Sequence, residues 1–391
     1  MSSSKKQKIN VLHVLSSAGI AGGERYLQDL IRYTDKMIQH AIILPYQGPF
    51  IKILENFNYN YTIIDMKKKF SIRSISSLVK YIKKNPVDIL HTHGYRANFY
   101  GRIASMVTGI KSVSTVHVSL FDYTDTPFLI RYIYIMLERI LSYRSSIFIC
   151  ISNAMKKDML RLGIDRDRIV VINNGVDLER FYPRSPQEQM KMELGILGNG
   201  PLIGTVGRMV TEKGQVYLIE ALRYLKNEWN DLKCLFIGEG PMLQQLKKMA
   251  FDLDVEKMCI FTGVKNNIEL IYPLLTLFVL PSIREPFGLV LLEAMASGVT
   301  VLSTDSGGPS EFIEPGINGV LVPPRDSKSL ASQVHWILSN KKKAEEIGQK
   351  GLRTVKTHFD VKGTARKIGE IYFSIYQSMN NSQKTWTSFN R

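Results

Sequence analysis

Short apolar runs rich in β-branched residues recur along the first half of the chain, at Ile9–Leu15, Ala41–Leu44, Tyr61–Ile64, Ile89–His91, Ser112–His117, Ile147–Ile151 and Ile169–Ile172. Between most of them apolar residues return at helical spacing, as at Ile72, Ile75, Leu78, Val79 and Ile82. Runs bounded by turn residues predict strands, and the 3.6-residue spacing predicts amphipathic helices. Their alternation predicts βαβ units on a parallel sheet. A Pro- and Gly-rich stretch from Tyr182 to Pro201, enclosing one short helical pattern at Gln187–Leu194, reads as a linker. The alternation then restarts, with strands predicted at Leu202–Val206, Lys233–Ile237, Cys259–Thr262, Leu277–Leu280, Val299–Ser303 and Val320–Val322. Two doubly wound, Rossmann-like α/β domains facing each other across a cleft are the expected architecture. Open sheets of this kind bind ligands in the loops that follow their strands.

Composition narrows the class. A chain of 391 residues suggests two or three domains, and 22% charged with 10% aromatic residues is an ordinary globular balance that excludes disordered and coiled-coil classes. Cys150, Cys234 and Cys259 lie far apart, so neither a disulfide framework nor a cysteine zinc site is expected. The polar N-terminus lacks a signal-peptide pattern, and the longest apolar stretches, around Ile130–Leu141 and Leu270–Leu280, are broken by Arg131 and Glu138 or by a proline. A cytoplasmic protein with no membrane span is the expectation. The net charge of +16 is uneven, because residues 1–180 hold 26 basic and 14 acidic side chains. No helix-turn-helix, zinc or RNP pattern accompanies it, which argues against nucleic acid.

Candidate chemistry follows the strands. After the first strand, Gly22 and Gly23 precede a helical run and offer bare amides to an anion, without the G-x-G-x-x-G spacing of a nicotinamide site. His91 and His93 share a strand face and form a conceivable metal pair. No third ligand or acidic cluster completes it, and both read as core or hydrogen-bonding residues, as does His13. The D-x-D triplets at 165–167 and 252–254 do not directly follow strands and read as solvated surface. Gly207–Gly214 carries Arg208 and Lys213, which can converge on one diphosphate. In Pro281–Gly298 a loop bearing Glu285 turns into a helix opening near Gly288, whose amides and dipole suit a phosphate. Glu293 inside that helix lies on an apolar face, where vicinal ribose hydroxyls would be a fitting partner.

Together these pieces resemble the retaining glycosyltransferases of family 4, which have the two-domain GT-B fold. They occur in the family's order: Gly-Gly-Glu-Arg, His-Thr-His-Gly-Tyr, Thr-Val-His, Ile-Ser-Asn-Ala, Asn-Asn-Gly-Val-Asp, Gly-Arg with Glu-Lys-Gly, Gly-Glu-Gly-Pro, the two glutamates Glu285 and Glu293, and Ser-Gly-Gly-Pro-Ser-Glu. The resemblance implies an N-terminal acceptor-side domain over 1–180, a nucleotide-sugar domain over 181–364, and a C-terminal helix over 365–391 that crosses back, ending in a disordered tail. It also implies that Arg208 and Lys213 neutralise the donor diphosphate, that Glu293 holds the ribose, and that Glu285 contacts the transferred sugar. Phe287, Gly288 and Leu289 would offer amides, Gly22 and Gly23 would close on the diphosphate, and His117 would face the reacting sugar. Gly238 and Glu239 would lie near the base, and Asn174 near the hinge. The loop Gly307–Glu311 departs from the family's spacing by one residue.

The implied reaction is metal-independent, cofactor-free transfer of a hexosyl unit with retention. The donor would be a nucleotide sugar, UDP-linked by preference, and the acceptor a saccharide or lipid-linked saccharide in cell-surface polysaccharide synthesis. A nucleotide-sugar epimerase or a phosphorylase on the same fold is the alternative. The basic segment of Lys67–Lys69, Phe70, Arg73, Lys80, Lys83 and Lys84, beside an apolar helix face, reads as a peripheral contact with an anionic membrane, at its inner face.

Overall fold

A computed structural model describes residues 8–20, 22–68, 70–122, 128–143, 145–196 and 198–389. Lys69 of the basic segment lies outside the described residues. The chain divides into two compact units, Met1–Asn174 with Val361–Arg391, and Gly175–Asp360.

The first unit holds β1 (Ile9–Leu15), β2 (Ile38–Leu44), β3 (Tyr61–Ile63), β4 (Ile89–His93), β5 (Lys111–Val116), β6 (Ser145–Cys150) and β7 (Ile169–Val171). Between them run α1 (Gly22–Tyr33), α2 (Phe50–Asn56), α3 (Ile72–Lys84), α4 (Tyr95–Thr108), α5 (Phe128–Ser142) and α6 (Asn153–Arg161). The strands form one parallel sheet in the order β3-β2-β1-β4-β5-β6-β7. Order reverses at β1 and β4, so a crevice opens at their carboxyl ends. Every residue of β4 is buried, as expected of a central strand covered on both faces, where apolar runs replace alternation. The register sets His13 opposite His91 and Leu15 opposite His93, which brings histidines 80 residues apart onto one face.

One face of this sheet carries a core of Val11, Leu27, Leu30, Ile42, Ile368 and Tyr372, and the other a core of Leu12, Val14, Leu78, Ile82, Leu90 and Tyr100. Burial of each such side chain contributes about 1.5–3 kcal/mol. Ile75, Leu78, Val79 and Ile82 of α3 all belong to the second core. The apolar face that the sequence offered to a membrane is therefore already covered, and what stays exposed there is Lys67, Lys68, Phe70, Ile72, Arg73, Ser76, Lys80, Lys83 and Lys84. On α5 the reverse holds. Glu138 turns inward to Arg102, 2.8 Å away and wholly buried, while Leu129, Tyr132, Ile133, Met136 and Ile140 are exposed.

The second unit holds α7 (Glu188–Glu193), β8 (Leu202–Val206), α8 (Gln215–Leu225), β9 (Lys233–Ile237), α9 (Leu243–Asp252), β10 (Cys259–Gly263), β11 (Leu277–Leu280), α10 (Leu289–Ala296), β12 (Val301–Thr304), β13 (Val320–Val322), α11 (Ser327–Ser339) and α12 (Lys341–His358). Its parallel sheet runs β10-β9-β8-β11-β12-β13 and reverses at β8 and β11. The Pro- and Gly-rich stretch from Tyr182 to Pro201 belongs to this unit. The chain then returns to the first unit as α13 (Val361–Phe389), whose Ala365, Ile368 and Tyr372 enter the core beside α1. The sequence predicts a disordered tail from Asn380, whereas the helical backbone runs through Phe389. No helix among the described residues is long and apolar enough to cross a membrane.

Candidate functional site

In the second unit the loops after β8 and β11 meet at the switch point. Lys213 ends the β8 loop and places its Nζ 2.6 Å from Oε2 of Glu285 in the β11 loop. Ser282 Oγ donates to the same oxygen at 3.1 Å. Glu285 is 8% exposed, so its charge is compensated locally by one cation and one hydroxyl. Its backbone is equally fixed, since Glu285 N donates to Ser306 O and Gly308 N donates to Glu285 O. The Gly307–Glu311 loop, despite its spacing, thus docks beside Glu285. A Cβ at Gly308 would meet the Phe287 backbone, so only glycine allows this approach.

Arg208 extends from the same β8 loop and is exposed, with no ion pair among the described residues. Gln215 Nε2 donates to its carbonyl at 2.9 Å and fixes that part of the loop. The sequence groups Arg208 and Lys213 as one cationic pair, but the structure ties Lys213 to Glu285 and leaves Arg208 as the cation facing solvent. Gly288 caps α10 with φ 98°, and the amides of Phe287, Gly288 and Leu289 have no backbone acceptor among the described residues. They form an anion-ready helix start.

Glu293, 2% exposed, accepts a 2.7 Å bond from Tyr272 Oη. Its burial is therefore met by the protein itself, and ribose is not needed to explain it. Tyr272 was not legible in the sequence, where it is one aromatic residue before a proline. Gly238 and Glu239 follow β9; Gly238 N donates to Gly263 O and Glu239 O accepts from Met209 N. A Cβ on Gly238, at φ 133°, would strike the Gly207 carbonyl, so the β8 and β9 loops touch there. The two D-x-D triplets are exposed, with Asp252 and Asp254 paired to Lys248 and Lys226.

In the first unit, Gly22 and Gly23 open α1 and His117 follows β5. A Cβ on Gly23 would lie 3.9 Å from the His117 ring, so these three residues share the β1/β4 end of the sheet. Behind them the histidines form an array in which His13, His91 and His93 are buried and His40 and His117 partly exposed. His13 Nδ1 lies 3.0 Å from His93 Nε2, His13 Nε2 lies 2.9 Å from His40 Nδ1, and His93 Nδ1 lies 3.4 Å from His117 Nε2. His91 bonds Tyr372 Oη at 2.5 Å and Thr115 Oγ1 at 2.7 Å. Burial first, then neighbouring histidines, holds His13 and His93 well below the ordinary imidazole range and His91 at about 3. His40 and His117 are lowered by burial to about 4.

The expectation that nothing completes a metal set with His91 and His93 is corrected by His13, because ring nitrogens of the three lie within 4.8 Å of one another. Strand pairing, invisible in sequence, brings it there. Both nitrogens of each ring are nevertheless engaged in hydrogen bonds, and the cluster includes no carboxylate to offset a dication in a buried site. The donor set fits a hydrogen-bonded array better than a metal centre.

Comparison with known proteins gives the family and the fold. The family model described as Glycosyltransferase Family 4 matches residues 20–180, and that described as Glycosyl transferases group 1 matches residues 186–354. The UDP-Gal:alpha-D-GlcNAc-diphosphoundecaprenol alpha-1,3-galactosyltransferase of Escherichia coli is 27% identical over 384 residues, covering 95% of this chain and 98% of that protein. Alpha-maltose-1-phosphate synthase of Mycolicibacterium smegmatis is 28% identical over 305 residues, covering 73% and 78%. The crystal structure of Anabaena HepE in complex with UDP and glucose superimposes with a TM-score of 0.85 at 23% identity, covering 94% of this chain and all of that one, a likeness of fold.

Proposed function

Because the chain belongs to the group 1 glycosyltransferases of family 4, we propose that it transfers a hexosyl unit from a UDP-sugar to a lipid-linked saccharide with retention of anomeric configuration. The observation that carries this reading is the meeting of Lys213, Glu285 and the open amides of α10 at one switch point, with Arg208 on the same β8 loop. Charge developing on the leaving diphosphate is met there by Arg208, Lys213 and the helix start, without a metal ion in the scheme. The bond from C1 to the phosphate oxygen breaks, the bond from C1 to the acceptor oxygen forms, and the acceptor proton passes to the leaving phosphate. Glu285 holds sugar hydroxyls, Glu293 the ribose, and Gly238 and Glu239 border the base. The UDP and lipid-linked assignments draw support from the galactosyltransferase relative, whose name includes both a UDP-sugar and a diphosphoundecaprenol acceptor. Comparing thermal shifts with UDP, GDP and ADP tests the base. UDP at 100 times its Kd is expected to stabilise the protein by about 2.7 kcal/mol, and a larger shift with GDP or ADP contradicts the reading.

The same reading sets the first unit at an anionic membrane. α3, α4 and α5 pack side by side. Together they expose Lys80, Lys83 and Lys84 on α3, Met106 and Val107 on α4, and the apolar stripe of α5, where Leu129 is 69% and Ile140 59% accessible. Basic and apolar groups on one layer suit interfacial binding. Co-sedimentation with phosphatidylglycerol vesicles is expected to fall several-fold in Leu129→Ser/Ile140→Ser, and also in Lys80→Glu/Lys83→Glu. Unchanged sedimentation in both contradicts the membrane assignment.

A further inference from the structure

Four histidines of the first unit form a row joined nitrogen to nitrogen. From Thr34 Oγ1 it runs 2.7 Å to His40 Nε2, then from His40 Nδ1 to His13 Nε2, from His13 Nδ1 to His93 Nε2, and from His93 Nδ1 to His117 Nε2. A neutral imidazole has one N–H and one lone pair, so a ring that donates on one side accepts on the other. Every ring in the row must therefore point its N–H the same way, and the tautomer of the last ring is set by the first partner.

Two features choose the direction. Thr34 Oγ1 also lies 3.4 Å from the carbonyl oxygen of Ile31, in the last turn of α1, which no backbone N–H reaches. The single Thr34 proton satisfies that carbonyl, and the hydroxyl then accepts from His40 Nε2–H. This polarity also gives all four rings the Nε2–H form, the intrinsically favoured tautomer of neutral histidine, whereas the opposite polarity gives four Nδ1–H forms. Burial keeps the rings neutral, as the row requires. Within this chain His117 Nδ1 has no hydrogen-bond partner among the described residues.

We propose that Thr34, His40, His13 and His93 are positioning residues that lock His117 as the Nε2–H tautomer, leaving Nδ1 to accept a hydrogen bond from a ligand hydroxyl that reaches the β1/β4 end of this sheet. The ligand contact rests on the proposed function, whereas the tautomer lock does not. Long-range ¹H–¹⁵N correlation of the imidazoles in the full, ligand-free chain tests the lock at neutral pH. His117 is expected to show a protonated Nε2 and a bare Nδ1. In Thr34→Val the row loses its anchor, and both His117 nitrogens should shift toward averaged values; Thr34→Ser should restore the native pattern. His40→Leu cuts the row one link further on and gives the same readout if the valine variant does not fold. A protonated Nδ1 on native His117 overturns the proposal, as does a His117 spectrum that stays native in folded Thr34→Val or His40→Leu. Absence of sugar transfer in the native protein would sink the proposed function and leave this spectroscopic result standing.

Discussion

Lys213→Ala is expected to lower sugar transfer by about 10²–10³-fold, the loss typical when one fixed donor is withdrawn from developing charge. Lys213 reaches its position through the 2.6 Å pair with Glu285, and its carboxylate partner is itself held by Ser282 and by the backbone of Ser306 and Gly308. Removing the ammonium leaves Glu285 buried without its counter-charge and, on the proposed function, withdraws a cation from the diphosphate. The loss should fall on kcat as well as KM, since the group acts on charge that grows in the transition state. Arg208→Ala is the contrasting variant. Its side chain is exposed and unpaired among the described residues, so its removal should weaken donor binding and leave the melting temperature unchanged. Initial rates against UDP-sugar concentration check both variants, and a Lys213→Ala enzyme with native kcat contradicts the role given to this residue.

Acid should unfold the first unit before the second. The five clustered histidines have folded-state values below the unfolded value of about 6.5, with His40 and His117 at about 4 and His91 at about 3. Between these values the unfolded chain binds protons that the folded unit refuses, so stability is complete above about pH 6.5 and falls as pH drops toward 4. At pH 5 each ring kept neutral costs about 2 kcal/mol by linkage. Several such rings together rival the 5–15 kcal/mol that holds a typical domain. Among the described residues of the second unit no histidine is buried, His335 being partly exposed and His358 exposed. Hydrogen exchange at pH 5 should therefore show β1, β4 and β5 losing protection while β8, β9 and β11 keep theirs. Equal loss in both units contradicts the neutral array.

Much of the fold was legible because parallel strands buried on both faces leave unbroken apolar runs. Leu202–Val206, Lys233–Ile237, Leu277–Leu280 and Val320–Val322 match their strands end to end. β4 extends two residues past its predicted end, because His91 and His93 look polar in sequence yet lie fully inside. β12 begins at Val301, two residues late, since Val299 and Thr300 still belong to the turn after α10. The loops of the candidate site were legible for a topological reason: switch-point loops follow strands, and Arg208, Lys213, Glu285 and Gly288 all do.

What stayed hidden was partnership across the sheet. Pairing of β1 with β4 puts His13 beside His93, and no local pattern announces it. Tyr272 meets Glu293 in the same way, from a segment without a motif. Helical periodicity identified an apolar face on α3 but not what covers it; the core takes that face. On α5, Glu138 reads as a break in an apolar run, whereas its inward turn to Arg102 is what leaves the stripe outside.

Transfer with retention from a UDP-sugar to a lipid-linked acceptor is decided by the anomeric configuration of the product. The protein would be incubated with a UDP-α-hexose labelled at C1 and a polyprenyl-diphosphate saccharide, and the new linkage read by NMR. An α-linked product with release of UDP is expected, lost in Lys213→Ala and Glu293→Ala. A β-linked product, or an epimerised UDP-sugar formed without acceptor, would contradict it.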